Sequence, residues 1–194
     1  MDDRRLAAAD AAYQAGDWTT AAREYLAASG GSAEGSGYAF HRAGNALMKL
    51  KRLDDAAAVY ERALEDAGYA DAASVACNLG TARAALGRFD QAVEAYEQAL
   101  GDIAYAGRHR ALQGLAGALY QLGRLEEAAE AYRKAALDEG NPDPGKALNN
   151  LGLCFMALDR PEDAASAYRA AVDLPGYSGR GRACANLGMA YVAL

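Results

Sequence analysis

Five tyrosines recur along this chain at a near-constant interval: Tyr25, Tyr60, Tyr96, Tyr132 and Tyr168 stand 35 and then three times 36 residues apart. Small residues hold the same register in three further columns, Ala21/Ala56/Ala92/Ala128/Ala164, Ala28/Ala63/Ala99/Ala135/Ala171 and Ala9/Gly44/Gly80/Ala116/Gly152/Gly188. A period of this length confines the chain to an architecture made by stacking one supersecondary unit, because no single copy can bury its own apolar faces. Inside each interval lies a polar break closed by an apolar residue: Gly16-Asp17-Trp18, Lys51-Arg52-Leu53, Gly87-Arg88-Phe89, Gly123-Arg124-Leu125 and Asp159-Arg160-Pro161. Each unit therefore reads as two short antiparallel helices, A and B. The units are about 2–36, 37–72, 73–108, 109–144 and 145–180, followed by a half unit, 181–194. The small columns are expected where Ala or Gly of one helix faces Ala of the other, with Tyr and Leu filling the gaps on either side. The expected fold is all-α, an α-solenoid superhelix of five and a half copies forming one continuous body.

The segment Asn150-Leu151-Gly152 through Phe155, then Ala164, Tyr168 and Ala171, resembles the tetratricopeptide repeat (TPR) family almost column by column. Asn78-Leu79-Gly80 and Asn186-Leu187-Gly188 repeat its opening, and the resemblance covers essentially the whole chain. It implies that helix A lines a concave groove, that helix B forms the convex back, and that the protein binds other proteins or peptides. The family's usual period is about 34, so two extra residues per unit are expected in the loop from helix B to the next helix A. Those loops carry Gly68, Gly140 and Gly176, expected as glycines closing helix B, together with Tyr69, Tyr105 and Tyr177. The first linker, Ser29 to Gly37, is richer in Gly and Ser, which predicts a first unit less rigidly docked than the rest. Arg83 stands in a column filled elsewhere by Leu47, Leu119, Phe155 and Tyr191, and either snorkels into the groove or marks a local polar contact.

Composition narrows the chemistry. A net charge of −6 and a pI near 5.0 argue against a general nucleic-acid binder, which needs surplus Lys and Arg to displace counterions. The opening Met1-Asp2-Asp3-Arg4-Arg5 lacks the pattern of a secretion signal, and no uncharged run reaches the ~18 residues of a membrane span. A cytoplasmic location, away from membranes, is the default. Cys77, Cys154 and Cys184 are odd in number, far apart and without a CxxC or Cys/His cluster, so all three read as small buried apolar residues. The two histidines, His41 and His109, have no partner at metal-ligand spacing, and no phosphate-binding glycine motif is present. The chain is expected to be no enzyme, with no cofactor and no metal.

Charge placement points to where partners bind. Helix A of units two to six (37–50, 73–86, 109–122, 145–158 and 181–194) contains no Asp or Glu, while it carries Arg42, Lys49, Arg83, Arg110, Lys146 and Arg182. The acids gather in helix B and the loops after it, so under the resemblance the groove is positive inside an acidic protein; the alternative is that acids on the back serve solubility alone. Arg110, Lys146 and Arg182 form one ladder, Asn78, Asn150 and Asn186 a second. In the resembled family such an Asn, both donor and acceptor, holds the backbone of an extended peptide. Met48, Met156, Met189, Tyr13 and Tyr120 fall on or near this face. A subset of the family grips a C-terminal carboxylate with a Lys/Asn, Asn, Lys/Arg clamp; here the matching positions hold His41 and Asn45, Asn78, then Arg110 and Gly114, so only the two Asn match outright. The expected groove is His41, Arg42, Asn45, Lys49, Asn78, Arg110, Lys146, Asn150, Arg182 and Asn186, taking partners with acidic or free carboxylate groups. Two other roles stay open: a regulatory or sensor module governing a C-terminal output domain, or architectural self-assembly. The chain stops midway through a sixth unit with one charge in residues 181–194, so a longer protein is expected, as is self-association through the uncapped C-terminal helix around Leu187, Tyr191 and Leu194.

Overall fold

In the computed structural model, which describes residues 2–32 and 34–194, every polar break closes a helix by the same backbone device. The residue after helix A takes a left-handed conformation at Gly16, Lys51, Gly87, Gly123 and Asp159. The next N–H then reaches back five residues, Asp17 to Ala12 O, Arg52 to Leu47 O, Arg88 to Arg83 O, Arg124 to Leu119 O and Arg160 to Phe155 O, all within 3.0 Å. This is a Schellman closure, and it turns the chain back on itself. Met1 and Ala33, read above within the opening and the first linker, lie outside the described residues.

Among the described residues the secondary structure is helical throughout. The chain divides into two compact units, Met1–Ile103 and Ala104–Leu194. The first holds α1 (Asp3–Gln14), α2 (Trp18–Ala28), α3 (Gly37–Lys49), α4 (Leu53–Leu64), α5 (Ala72–Ala85) and α6 (Phe89–Gly101). The second holds α7 (Arg108–Gln121), α8 (Leu125–Leu137), α9 (Pro144–Ala157), α10 (Pro161–Asp173) and α11 (Arg180–Ala193). Odd-numbered helices are the A helices and even-numbered ones the B helices. Within each unit, consecutive helices pack against one another in sequence order. The B helices α4, α6, α8 and α10 open with acids, Asp54 and Asp55, Asp90, Glu126 and Glu127, Glu162 and Asp163, which complement the positive end of the helix dipole.

The small column of helix A receives the tyrosine ring of helix B, where Ala facing Ala was expected. A Cβ added at Gly152 would meet Tyr168 Cε1 at 2.5 Å, and one at Gly80 would meet Tyr96 at 2.8 Å. At these glycines the ring fits only because the opposing side chain is absent. Tyr60 and Tyr168 are fully buried in this way, Tyr25 is fully buried in the pair whose column holds Ala9, and the alanines at 21, 56, 92, 128 and 164 are solvent-free beside them. In the first unit, Tyr25 and Tyr60 join Phe40, Leu47, Val75 and Leu79 in one apolar core.

Three expectations need correction. Gly68 and Gly140 are not left-handed; their N–H groups donate to Asp66 Oδ1 (3.3 Å) and Asp138 Oδ1 (2.9 Å) in tight Asx turns, and Gly176 alone of the three has positive φ. The Ser/Gly-rich linker is tied down: Ser29 and Ser36 are buried, Ser36 Oγ donates to Ser29 O, Arg62 Nη2 donates to Gly31 O at 2.7 Å, and the Gly37 N–H donates to Asp66 Oδ2 at 2.9 Å. Cys77 and Cys154 are buried but Cys184 is exposed, because no further helix packs on that side of α11 among the described residues. Two of the loop tyrosines fold back onto their own A helix. Tyr69 lies over Gly37 and Tyr177 over Gly145, where a Cβ would come within 2.6 Å of each ring.

Candidate functional site

In the residue 1–103 unit the groove side of the A helices is joined by side-chain hydrogen bonds. The Tyr60 hydroxyl donates to Asn45 Oδ1 at 2.7 Å, and the Asn78 amide donates to the same oxygen at 3.0 Å. Asn78 Nδ2 also lies 3.0 Å from His41 Nε2, and His41 Nδ1 lies 3.0 Å from the Tyr69 hydroxyl. An amide nitrogen only donates, so Nε2 accepts and Nδ1 carries the proton. Burial holds the imidazole below its ordinary pKa; Asp71 opposes this and Arg42 adds to it. A protonated ring would set N–H against N–H at Asn78, and the relay through Asn45 to Tyr60 would have to reverse.

Arg42 is likewise engaged. Its guanidinium stands 4.0 Å over the Tyr13 ring, and Nε donates to the Tyr25 hydroxyl at 3.2 Å. That hydroxyl donates to the Asp10 carboxylate, to which the Tyr38 hydroxyl donates at 3.1 Å. Lys49 is exposed. Arg83 turns from the groove toward the B helices, pairing with Glu61 at 2.9 Å and donating to Gln91 O at 3.2 Å, which settles it as a local polar contact.

The residue 104–194 unit has a different surface. In the first unit each buried tyrosine finds a partner one position after the small column: Tyr25 at Asp10, Tyr60 at Asn45 and Tyr96 at Thr81. The same column continues as Gly117, Leu153 and Met189, which offer no hydrogen-bonding side chain. Tyr132 turns to Asn150 instead; burial pushes its pKa to about 12, with the Asn150 amide pulling the other way. Tyr168, also pushed by burial to about 12, keeps a buried hydroxyl with no hydrogen-bond partner among the described residues. Asn186 is buried and donates to Asn149 Oδ1 at 3.0 Å, and Asn149 Nδ2 reaches Asn150 Oδ1 at 3.4 Å. Asn149 thus links the two expected Asn residues. It escaped sequence reasoning because its column reads His41, Cys77, Gln113, Asn149 and Ala185, with no repeated chemistry.

Arg110, Lys146 and Arg182 are exposed, and among the described residues none has an ion-pair partner. On the B side the arginines are matched locally, Arg124 to Glu127 at 2.6 Å and Arg52 to Asp55 at 2.7 Å. Leu153, Tyr120 and Met189 expose apolar surface on the A helices of the second unit. The arrangement offers cations, apolar contact and amide groups; burial pushes the Cys154 thiol to about 11, so it stays protonated at neutral pH. Among the described residues no group of three His, Cys, Asp or Glu could hold a metal ion, and no helix is long and apolar enough to cross a membrane.

A tetratricopeptide repeat profile matches residues 77–144 and 118–179, together more than half of the chain, and a second matches residues 36–101. The chain belongs to the tetratricopeptide repeat family. It is accordingly a protein–protein interaction module of TPR fold. Three solved structures show the same fold. MamA aligns with a TM-score of 0.78 at 18% identity, covering 88% of this chain and 90% of that one. Residues 41 to the end of MamA from Desulfovibrio magneticus RS-1 give 0.76 at 19% identity, covering 89% and 93%. YrrB, a TPR protein with an unusual peptide-binding site, gives 0.75 at 21% identity, covering 93% and 90%. A comparison with curated protein sequences gives no match.

Proposed function

We propose that this TPR protein binds an extended segment of a partner protein on the exposed side of its A helices, taking acidic or carboxylate-bearing partners. The single observation that supports it is the charge of that side: helices A of units two to six hold no acid, and three of their cations, Arg110, Lys146 and Arg182, are solvent-exposed with no ion-pair partner among the described residues. A cation that is neither paired nor buried retains its full capacity to attract a carboxylate and to steer its approach. His41, Arg42, Asn45, Lys49 and Asn78 form the corresponding groove in the first unit, and Arg110, Lys146, Asn150, Arg182 and Asn186 that in the second. In the first unit, Asn45 and Asn78, the residues that match the carboxylate clamp, already hydrogen-bond each other. A ligand there competes with the protein's own network, and Lys49 is the group free to meet it. The test is affinity selection of random peptides on the full chain, repeated with Arg110, Lys146 and Arg182 all changed to Ala. Enrichment of acidic peptides that the triple variant no longer retains, with unchanged helicity, is expected; peptides held equally by both proteins would overturn the reading.

A further inference from the structure

In α3 and α9 two glycines, seven residues apart, each lie against a tyrosine ring, and the equivalent glycines of α11 lie open. Gly37 and Gly145 are covered by the loop tyrosines Tyr69 and Tyr177, where an added Cβ would stand 2.6 Å from each ring. Gly44 and Gly152 are covered by Tyr60 and Tyr168 of the following B helix. A Cβ added at Gly181 or Gly188 would meet nothing within 4 Å among the described residues. Gly181, Cys184, Gly188 and Val192 run along one face of α11 and are all exposed, whereas their counterparts in α9, Gly145, Leu148, Gly152 and Met156, are buried or half-buried. The Tyr191 ring borders this face and is held by Arg169 of α10, whose guanidinium stands 5.8 Å from the ring centroid.

We propose that this face of α11 docks a helix-and-loop segment of a partner protein, one that carries a tyrosine with alanine four residues before and three after it, and a second tyrosine nine residues on. The filled sockets supply the pattern. They take Tyr60 with Tyr69 and Tyr168 with Tyr177, nine residues apart in both cases. Alanines at 56 and 63, and at 164 and 171, stand four before and three after the helical tyrosine, and all four are free of solvent. Such small residues let the two backbones approach until the ring enters the notch. A helix without the rings would leave both notches void and forfeit the contacts of their walls. A second copy of this chain cannot provide the segment, because its B-helix tyrosines, at 25, 60, 96, 132 and 168, are buried in their own pairs. It can lay only the apolar strip of its α11 against this one, a poorer cover that the partner segment displaces.

The docking face is separate from the ligand groove. Arg182 precedes Gly188 by six residues and, at about 100° per residue, projects roughly 120° away from the notch. Docking therefore leaves the groove cations free, and each surface has its own test.

The experiment uses the full chain and a fluorescent synthetic peptide copying residues 160–178, cross-linked between the exposed positions 162 and 166 so that it stays helical. Fluorescence anisotropy should show saturable binding, and replacing either tyrosine of the peptide by Ala should weaken it at least about tenfold, the loss expected of a buried aromatic anchor. In the protein, Gly188→Leu should weaken binding by as much while the melting temperature holds or rises, since the added side chain enters open space and leucine favours the helix. Arg110→Ala with Lys146→Ala and Arg182→Ala should leave the affinity for this peptide within about twofold, as expected of a site that shares no partners with it. Saturating peptide should also dissolve any self-association seen in sedimentation. Absence of binding, equal binding by Gly188→Leu or by the peptides lacking a ring, or self-association that persists at saturation overturns the inference. The groove reading stands or falls separately, on what the triple variant does to acidic peptides.

Discussion

Two residues in this chain hold a backbone conformation that their neighbours in the repeat give to glycine. Lys51 (φ 60) and Asp159 (φ 56) close their A helices where Gly16, Gly87 and Gly123 close the others. A side chain in this region costs about 1–2 kcal/mol, of which glycine's greater freedom in the unfolded chain returns about half. Lys51→Gly is therefore expected to stabilise the protein by about 0.5–1 kcal/mol in urea unfolding, and Gly87→Ala to destabilise it by a similar or larger amount. His41 carries a pH dependence. Burial keeps its folded-state pKa below the 6.5 of the unfolded chain, so the unfolded state takes up the proton first. This contribution leaves stability untouched above that value and reduces it as the pH falls from about 6.5 toward the folded-state pKa. Urea midpoints from pH 7.5 to 5 should decline, and His41→Gln should flatten the part of the decline that His41 causes. An identical slope in the variant would remove His41 from the account.

At the scale of the element, the helix pair depends on a ring laid against a missing side chain. At Gly152 an added methyl would stand 2.5 Å from Tyr168 Cε1 and must move a fully buried tyrosine. Gly152→Ala is expected to cost about 1–3 kcal/mol, the usual range for overpacking. In a stack of pairs the cost spreads to neighbouring interfaces, so hydrogen exchange should quicken in α8 and α11 as well as in α9 and α10. Exchange confined to α9 and α10 would show the pairs to be independent. Leu153→Asn tests the other side of the same tyrosine, since it supplies the partner that Asn45 gives Tyr60. A satisfied hydroxyl offsets the lost apolar contact, each being worth about 1–2 kcal/mol, so the melting temperature should hold or rise.

At the scale of the whole molecule, a net charge of −6 coexists with helices A of units two to six that hold no acid, so the proposed attraction to acidic ligands would arise locally and against the overall field. Binding should weaken as ionic strength rises and the screening length shrinks from about 10 Å at 0.1 M to about 3 Å at 1 M. The triple alanine variant should lose most of that dependence in titrations at several salt concentrations; an unchanged dependence would place the electrostatics elsewhere. A further consequence follows from α11, where Tyr191, Val192 and Leu194 are exposed, Val192 almost entirely. Sedimentation at rising concentration should show self-association, and Val192→Glu with Leu194→Glu should abolish it. A monomer at every concentration would leave that face without a partner of its own kind.

The period and the helix pair were legible in the sequence because both arise from local chemistry: tyrosine and alanine columns recur at 36 residues, and polar breaks closed by apolar residues punctuate them. The absence of acids from helices A of units two to six was legible for the same reason, since charge needs no coordinates. What the glycine column faces was not, because a missing side chain does not say which ring fills its place; only the fold set Tyr168 against Gly152. The polar ladder also changed meaning in three dimensions. Asn78 reads as a ligand-holding amide in the sequence, yet the packing of α5 against α3 directs it to Asn45 and His41, while Asn149, of no recurring type, joins Asn186 to Asn150. A periodic pattern reports which positions are equivalent along the chain. Whether a polar group there is spent on a neighbour or left for a ligand depends on residues distant in sequence, and tertiary structure alone brings those together.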